Sequence, residues 1–149
     1  MASRRDLHRL KLMHGIRQVR RADAEQQMAG ARRSREVAEQ AVERCRDQTE
    51  QASAEWREHL AAGAFDPLFS RGFADQIMLR VSDEQLAQGR AEAAARVVER
   101  SEQGWRQRQA ETLASELGLK QAAQRHERVR EERRTEALAD RITYQWVKP

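Results

Sequence analysis

Two proline-free stretches, residues 1–66 and 68–148, decide what this chain can fold into. Proline is the residue a helix interior excludes most strongly, and neither stretch contains one. Between them, at 63–73, lies Gly-Ala-Phe-Asp-Pro-Leu-Phe-Ser-Arg-Gly-Phe, which holds Pro67 and all three phenylalanines. That cluster is turn punctuation. Composition points the same way. Charged residues are 35% and aromatics 5% of the 149 residues, so large apolar side chains are too few to fill a wide globular core. β-Branched and aromatic residues are too scarce for a sheet, whereas the abundant Ala, Arg, Glu and Gln favour helix. Such usage fits a long helix or a coiled coil.

Both stretches carry a seven-residue repeat, which argues against disorder. In the first, Met28, Arg35, Val42, Thr49 and Trp56 form one set, and Ala24, Ala31, Ala38, Cys45 and Ala52 the other. In the second, Ala91, Val98, Trp105, Thr112, Leu119 and His126 alternate with Ala87, Ala94, Ser101, Arg108, Ser115, Ala122 and Val129. Each seam has one set of mainly small residues, so two helix axes can approach closely, and a heptad period implies a gentle left-handed supercoil. The expected fold is all-α: one domain in which two long helices form an antiparallel coiled-coil hairpin.

Capping residues place the ends. Ser3 can cap the first helix, with Asp6 favourable in its first turn, and Gly63 can close it. Asp66-Pro67 reads as an N-cap followed by proline at the first helical position. Ser82 and Gln85 form a capping box, with Val81 and Leu86 as its hydrophobic staple, so a fresh helix is expected near Asp83. The resulting boundaries are helix one at about 4–62, a bend and short helix at about 63–82, and helix two at about 83–146, with Pro149 closing the chain. Matching large to small side chains favours pairs whose numbers add to 143. Trp56 then meets Ala87, Cys45 meets Val98, Ala38 meets Trp105 and Ala24 meets Leu119. Arg35 falls opposite Arg108 and both must turn outward. A register one heptad away, with pairs adding to 150, stays open.

The charge is segregated. Residues 1–35 hold ten basic and three acidic groups, 118–149 hold eight and five, and the middle is acidic. Folding back would gather the positive charge at one end. Apolar side chains also gather at two places outside the seam. Phe65, Leu68, Phe69, Phe73, Ile77 and Leu79 surround the bend, as a small closing core or as a docking patch. At the other end Leu138, Ile142, Tyr144 and Trp146 would lie beside Leu7, Leu10, Leu12, Met13 and Ile16 and exceed what one seam can bury, a second candidate docking surface.

Nothing in the residues points to an enzyme. There is no phosphate-binding G-x-x-x-x-G-K-[ST] loop and no H-E-x-x-H. His8, His14, His59 and His126 are dispersed, with His14 expected near Val129 and His126 near Arg17, so no metal site and no catalytic pair is expected. The lone Cys45 reads as a packed seam residue and excludes an internal disulfide. No cofactor is expected. No apolar run reaches the roughly 20 residues of a membrane span, and no secretory signal is visible, which suggests the cytosol. The basic ends carry no nucleic-acid motif, and no nucleic-acid partner is expected.

The opening LHRLKLMHGIRQVRRADAEQQMAGAR resembles that of the FliJ/YscO family, the central-stalk proteins of flagellar and virulence type III export. Leu7, Leu10, Ile16-Arg17, Arg20-Arg21-Ala22, Ala24-Glu25 and Ala31 carry the resemblance, together with chain length and the two-helix pattern. It implies a non-catalytic antiparallel hairpin, similar to the shaft of rotary ATPases, seated in the pore of a hexameric export ATPase. It also implies contacts with an export-gate membrane protein and with secretion chaperones, in the cytoplasm at the inner-membrane export apparatus. By that likeness Leu7, Arg9, Leu10, Arg17, Arg133, Leu138 and Ile142 would enter the ATPase, and Phe65, Phe69, Phe73, Ile77, Arg80 and Glu84 at the bend would face the gate. A soluble monomer is expected. The alternative class is a self-associating coiled-coil scaffold.

Overall fold

The computed structural model describes residues 4–63 and 65–147, with side chains from Arg5 to Trp146 apart from Ala64. The Ser3 cap and the closing Pro149 lie outside them. Two helices, α1 (Arg4–Ala61) and α2 (Pro67–Val147), account for nearly all of it, and the described residues contain no strand. They pack against each other as an antiparallel hairpin, the fold class read from the heptads.

The turn is built as its residues dictate. Gly63 adopts a φ of 74°, the left-handed conformation that closes helices and that a Cβ disfavours. The Ala62 N–H still reaches the Glu58 carbonyl at 3.0 Å, one bond beyond the helix proper. On the far side, Asp66 Oδ1 accepts the Leu68 N–H at 2.9 Å while Pro67 occupies the first helical position. The chain therefore reverses within a few residues.

Both heptad sets face inward. Val42, Ala52, Ala87, Ala91 and Val98 are buried, and Val42, Ala87 and Ala91 form the core cluster with Ala38 and Cys45 packed against it. Arg35 is the exception in its set. It is exposed and pairs with Glu39 at 2.7 Å one turn along its own helix, the outward turn its charge requires.

Two expectations are corrected. First, α2 does not restart at Ser82; it runs unbroken from Pro67 to Val147, 81 residues. The inward frame of Ala87 and Ala91 extends back through Glu84, Arg80, Ile77 and Phe73 to Ser70, all half-buried. Partial burial of Phe73 and Ile77 is worth on the order of 1 kcal/mol each, which outweighs the roughly 1 kcal/mol of a cap at Ser82. Second, the register is neither 143 nor 150. His14 bonds Ser115 and Arg17 meets Thr112, pairs whose numbers add to 129 (14 with 115, 17 with 112). Near the bend, Arg46 reaches Glu84 at 3.3 Å, and Arg80 reaches Gln48 at 3.4 Å. The seam phase is unchanged, because 129 and 143 differ by two heptads. The short turn supplies the reason: a reversal between Gly63 and Asp66 pairs residues equidistant from it.

The chain divides into two compact units. A bend unit comprises Glu25–Gly104, and a terminal unit comprises Met1–Ala24 with Trp105–Pro149. Because Ala91 is buried in one cluster with Val42 and Ala87, Ala91→Leu should destabilise the protein by about 1–3 kcal/mol in chemical denaturation. A neutral or stabilising result would mean that the seam is not closely packed there.

Candidate functional site

In the bend unit the aromatic residues divide into two groups. Trp56 Nε1 donates to Ser70 Oγ at 3.2 Å, tying the last turns of α1 to the first turn of α2. The His59 ring lies 5.3 Å from Phe73 and 6.1 Å from Phe69, centroid to centroid and tilted. Phe73 and Ile77 are thus half-buried closers of the hairpin. Phe65, Leu68 and Phe69 stay outside: Leu68 is 82% exposed and Phe69 65%. Leu68, Phe69, Gly72, Phe73 and Gln76 line an open groove of about 350 Å³ on α2. Gly72 and Gln76 were not legible as its walls, because a groove depends on which side of α2 meets α1.

Of the remaining bend residues expected to meet a partner, Arg80 and Glu84 are engaged within the unit. Arg80 bonds Gln48 and lies 3.9 Å from Asp83, and Glu84 takes the Arg46 guanidinium. A second interhelical pair, Arg32 with Glu102 at 2.7 Å, lies farther along the same unit. These pairs are exposed and contribute little stability; their positions fix which flank is polar.

The terminal unit has a polar seam. The Ser115 hydroxyl donates to the Thr112 carbonyl at 2.8 Å, so Ser115 Oγ accepts from His14 Nδ1 at 2.9 Å. The Thr112 hydroxyl lies 2.8 Å from the Arg108 carbonyl and 3.3 Å from that of Arg17. Arg21 Nε and Trp105 Nε1 are buried without a hydrogen-bond partner, each costing about 1–3 kcal/mol. His14 is therefore not beside Val129. Among the described residues no group of histidine, cysteine and carboxylate side chains could hold a metal ion.

The expected terminal tip is only partly assembled. Leu7 and Leu10 lie in the paired part of α1, and Arg9 is exposed beside them. The register sets Arg4 level with residue 125, so α2 continues past the start of α1. Every side chain from Arg130 to Trp146 is exposed. Arg133, Leu138 and Ile142 are on this projecting segment, and the expected lateral contact between the Leu138–Trp146 stripe and Leu7–Ile16 does not form. The two-heptad shift carries them past each other. The available signal was the helix lengths: with a turn this short, an 81-residue α2 must outrun a 58-residue α1.

Neither a protein family, nor a curated protein, nor a solved structure matches this chain. No described helix is long and apolar enough to cross a membrane.

Glu111 borders the polar seam. Its carboxyl is held below the ordinary glutamate range, first by the hydrogen bond from Arg108 Nη1 at 3.1 Å; partial burial opposes the shift, and the Arg108 charge, Gln107 and the Arg17 charge add to it. A carboxyl lowered on folding contributes stability above its unfolded titration and loses it as pH falls through the lowered value. Arg108→Gln should move the Glu111 titration upward in NMR-detected pH series. An unmoved titration would contradict the assignment of that bond as the cause.

Proposed function

We propose that the chain is a non-catalytic stalk of a type III protein export apparatus. The terminal unit enters the pore of the hexameric export ATPase, and the bend contacts the export gate or secretion chaperones. The reading rests on the resemblance of the opening residues to the FliJ/YscO family and on a two-helix hairpin. The observation that carries it furthest is the projecting end of α2, where an exposed helix combines Arg133 and Arg141 with Leu138, Ile142 and Trp146. A helix of this kind suits a groove or a ring better than solvent.

The mechanism is mechanical and electrostatic. Basic residues at the terminal unit, with Arg9 and Arg17 on α1, steer the stalk towards an acidic ring lining. Apolar residues on the projecting segment then hold it. Stalk insertion favours the assembled ring by binding that state more tightly than separate subunits. At the bend, Phe65, Leu68 and Phe69 offer the exposed anchors. On this reading the chain works in the cytoplasm, peripheral to the inner-membrane export complex.

The test is stimulation of a hexameric type III export ATPase. Arg9→Glu, Arg17→Glu and Arg133→Glu combined should reduce stimulation at least tenfold at low salt, with helix content unchanged by circular dichroism. Full stimulation by that variant would contradict the electrostatic mechanism, and absence of any stimulation by the unaltered chain would contradict the stalk reading.

A further inference from the structure

The terminal unit leaves two apolar stripes uncovered. On α1, Leu12, Ile16 and Val19 recur at i, i+4 and i+7, and all three are exposed. On the projecting segment of α2, Leu138, Ile142 and Trp146 recur at every fourth residue, with Trp146 85% exposed. They cannot meet within one molecule. Ile16 is level with residue 113 of its own α2, and Ile142 lies 29 residues farther on, roughly 40 Å along the helix.

We propose that a second copy of this chain covers them. The projecting α2 segment of each copy lies along the α1 stripe of the other, and a two-fold axis makes the contact reciprocal. The axis sets the two α2 helices antiparallel to each other. Because α1 is antiparallel to α2 within its own copy, each projecting segment runs parallel to the other copy's α1. Setting Ile16 beside Ile142 of the second copy then brings Leu12 level with Leu138, and Val19 and Arg20 level with Trp146, where the guanidinium can stack on the indole.

Two observations, apolar spacing and length, favour this occupant over an unrelated partner. The apolar spacings match in that orientation. Single ion pairs are available within this contact: Arg5 is level with Glu131 and Arg9 within one residue of Glu136, on a segment, 130–146, whose four basic and four acidic groups balance. Lengths also match, since residues 130–146 extend about 25 Å, close to the α1 share of the terminal unit. Made twice, such a contact approaches the roughly 1,200–2,000 Å² of a stable interface. The inference does not depend on the export reading. If both hold, the dimer covers Leu138, Ile142 and Arg9, and pairing competes with entry into the ring.

Sedimentation velocity of the full chain from about 1 to 100 µM tests the pairing. The expected species has twice the 17.3 kDa chain mass and dissociates on dilution. Ile16→Glu and Ile142→Glu alter exposed positions, so helix content should persist while each raises the dissociation constant at least tenfold. Arg9→Glu should weaken pairing up to about fivefold, and adding Glu136→Arg in the same chain should restore it. A species that stays at 17.3 kDa at the highest concentration overturns the proposal. So does a dimer indifferent to Ile16→Glu, which would mean that the projecting segments pair only with each other. Loss of ATPase stimulation in the preceding experiment leaves these outcomes unaffected.

Discussion

The turn between α1 and α2 governs what the rest of the molecule presents. Gly63 in the left-handed conformation ends one helix, and the Asp66 carboxylate with Pro67 starts the next almost at once. A reversal this short fixes how α2 is placed against α1 within the bend unit. It sets Phe73 and Ile77 in the seam rather than in a loop; in the terminal unit, Thr112 and Ser115 lie opposite Arg17 and His14. Because α1 is then exhausted well before α2, it also leaves the last turns of α2 projecting.

The seam differs along its length. In the bend unit it is alanine and valine around Val42, closed beside the turn by Trp56, His59 and Phe73. In the terminal unit it is largely polar, with buried donors on Arg21 and Trp105 lacking partners. Small apolar residues give close, specific packing; a charged seam gives weaker adhesion at a larger desolvation cost. The unit with the weaker internal seam is also the one that leaves the most apolar side chain exposed beyond it.

Much of this was legible in the residues. The heptad sets, the outward turn of Arg35, the Gly63 closure and the Asp66-Pro67 start all follow from local rules, and the structure agrees with each. The register did not follow, for a physical reason. A seam of alanine and serine accepts several registers in the same phase, since small residues penalise few partners. Large-to-small matching therefore favoured a pairing two heptads away. The capping box at Ser82 misled separately, about the helix start, because Ser82 and Gln85 are equally at home on the exposed side of an unbroken helix. The candidate surfaces inherit this. Phe65, Phe69, Leu138 and Ile142 are exposed, whereas the gathering of both terminal stripes on one tip depended on the register and fails with it.

The pairing of α1 with α2 can be read directly through Cys45, the chain's only cysteine, which packs against the Val42–Ala87–Ala91 cluster. Mild oxidation of an Ala87→Cys variant should join Cys45 to position 87 within one molecule, detected by intact mass and non-reducing electrophoresis. A Val98→Cys variant should form no internal bridge, because position 98 lies about 16 Å farther along α2, beyond disulfide reach. Bridging in the Val98→Cys variant and none in the Ala87→Cys variant would contradict the register from which the exposed surfaces of both units follow.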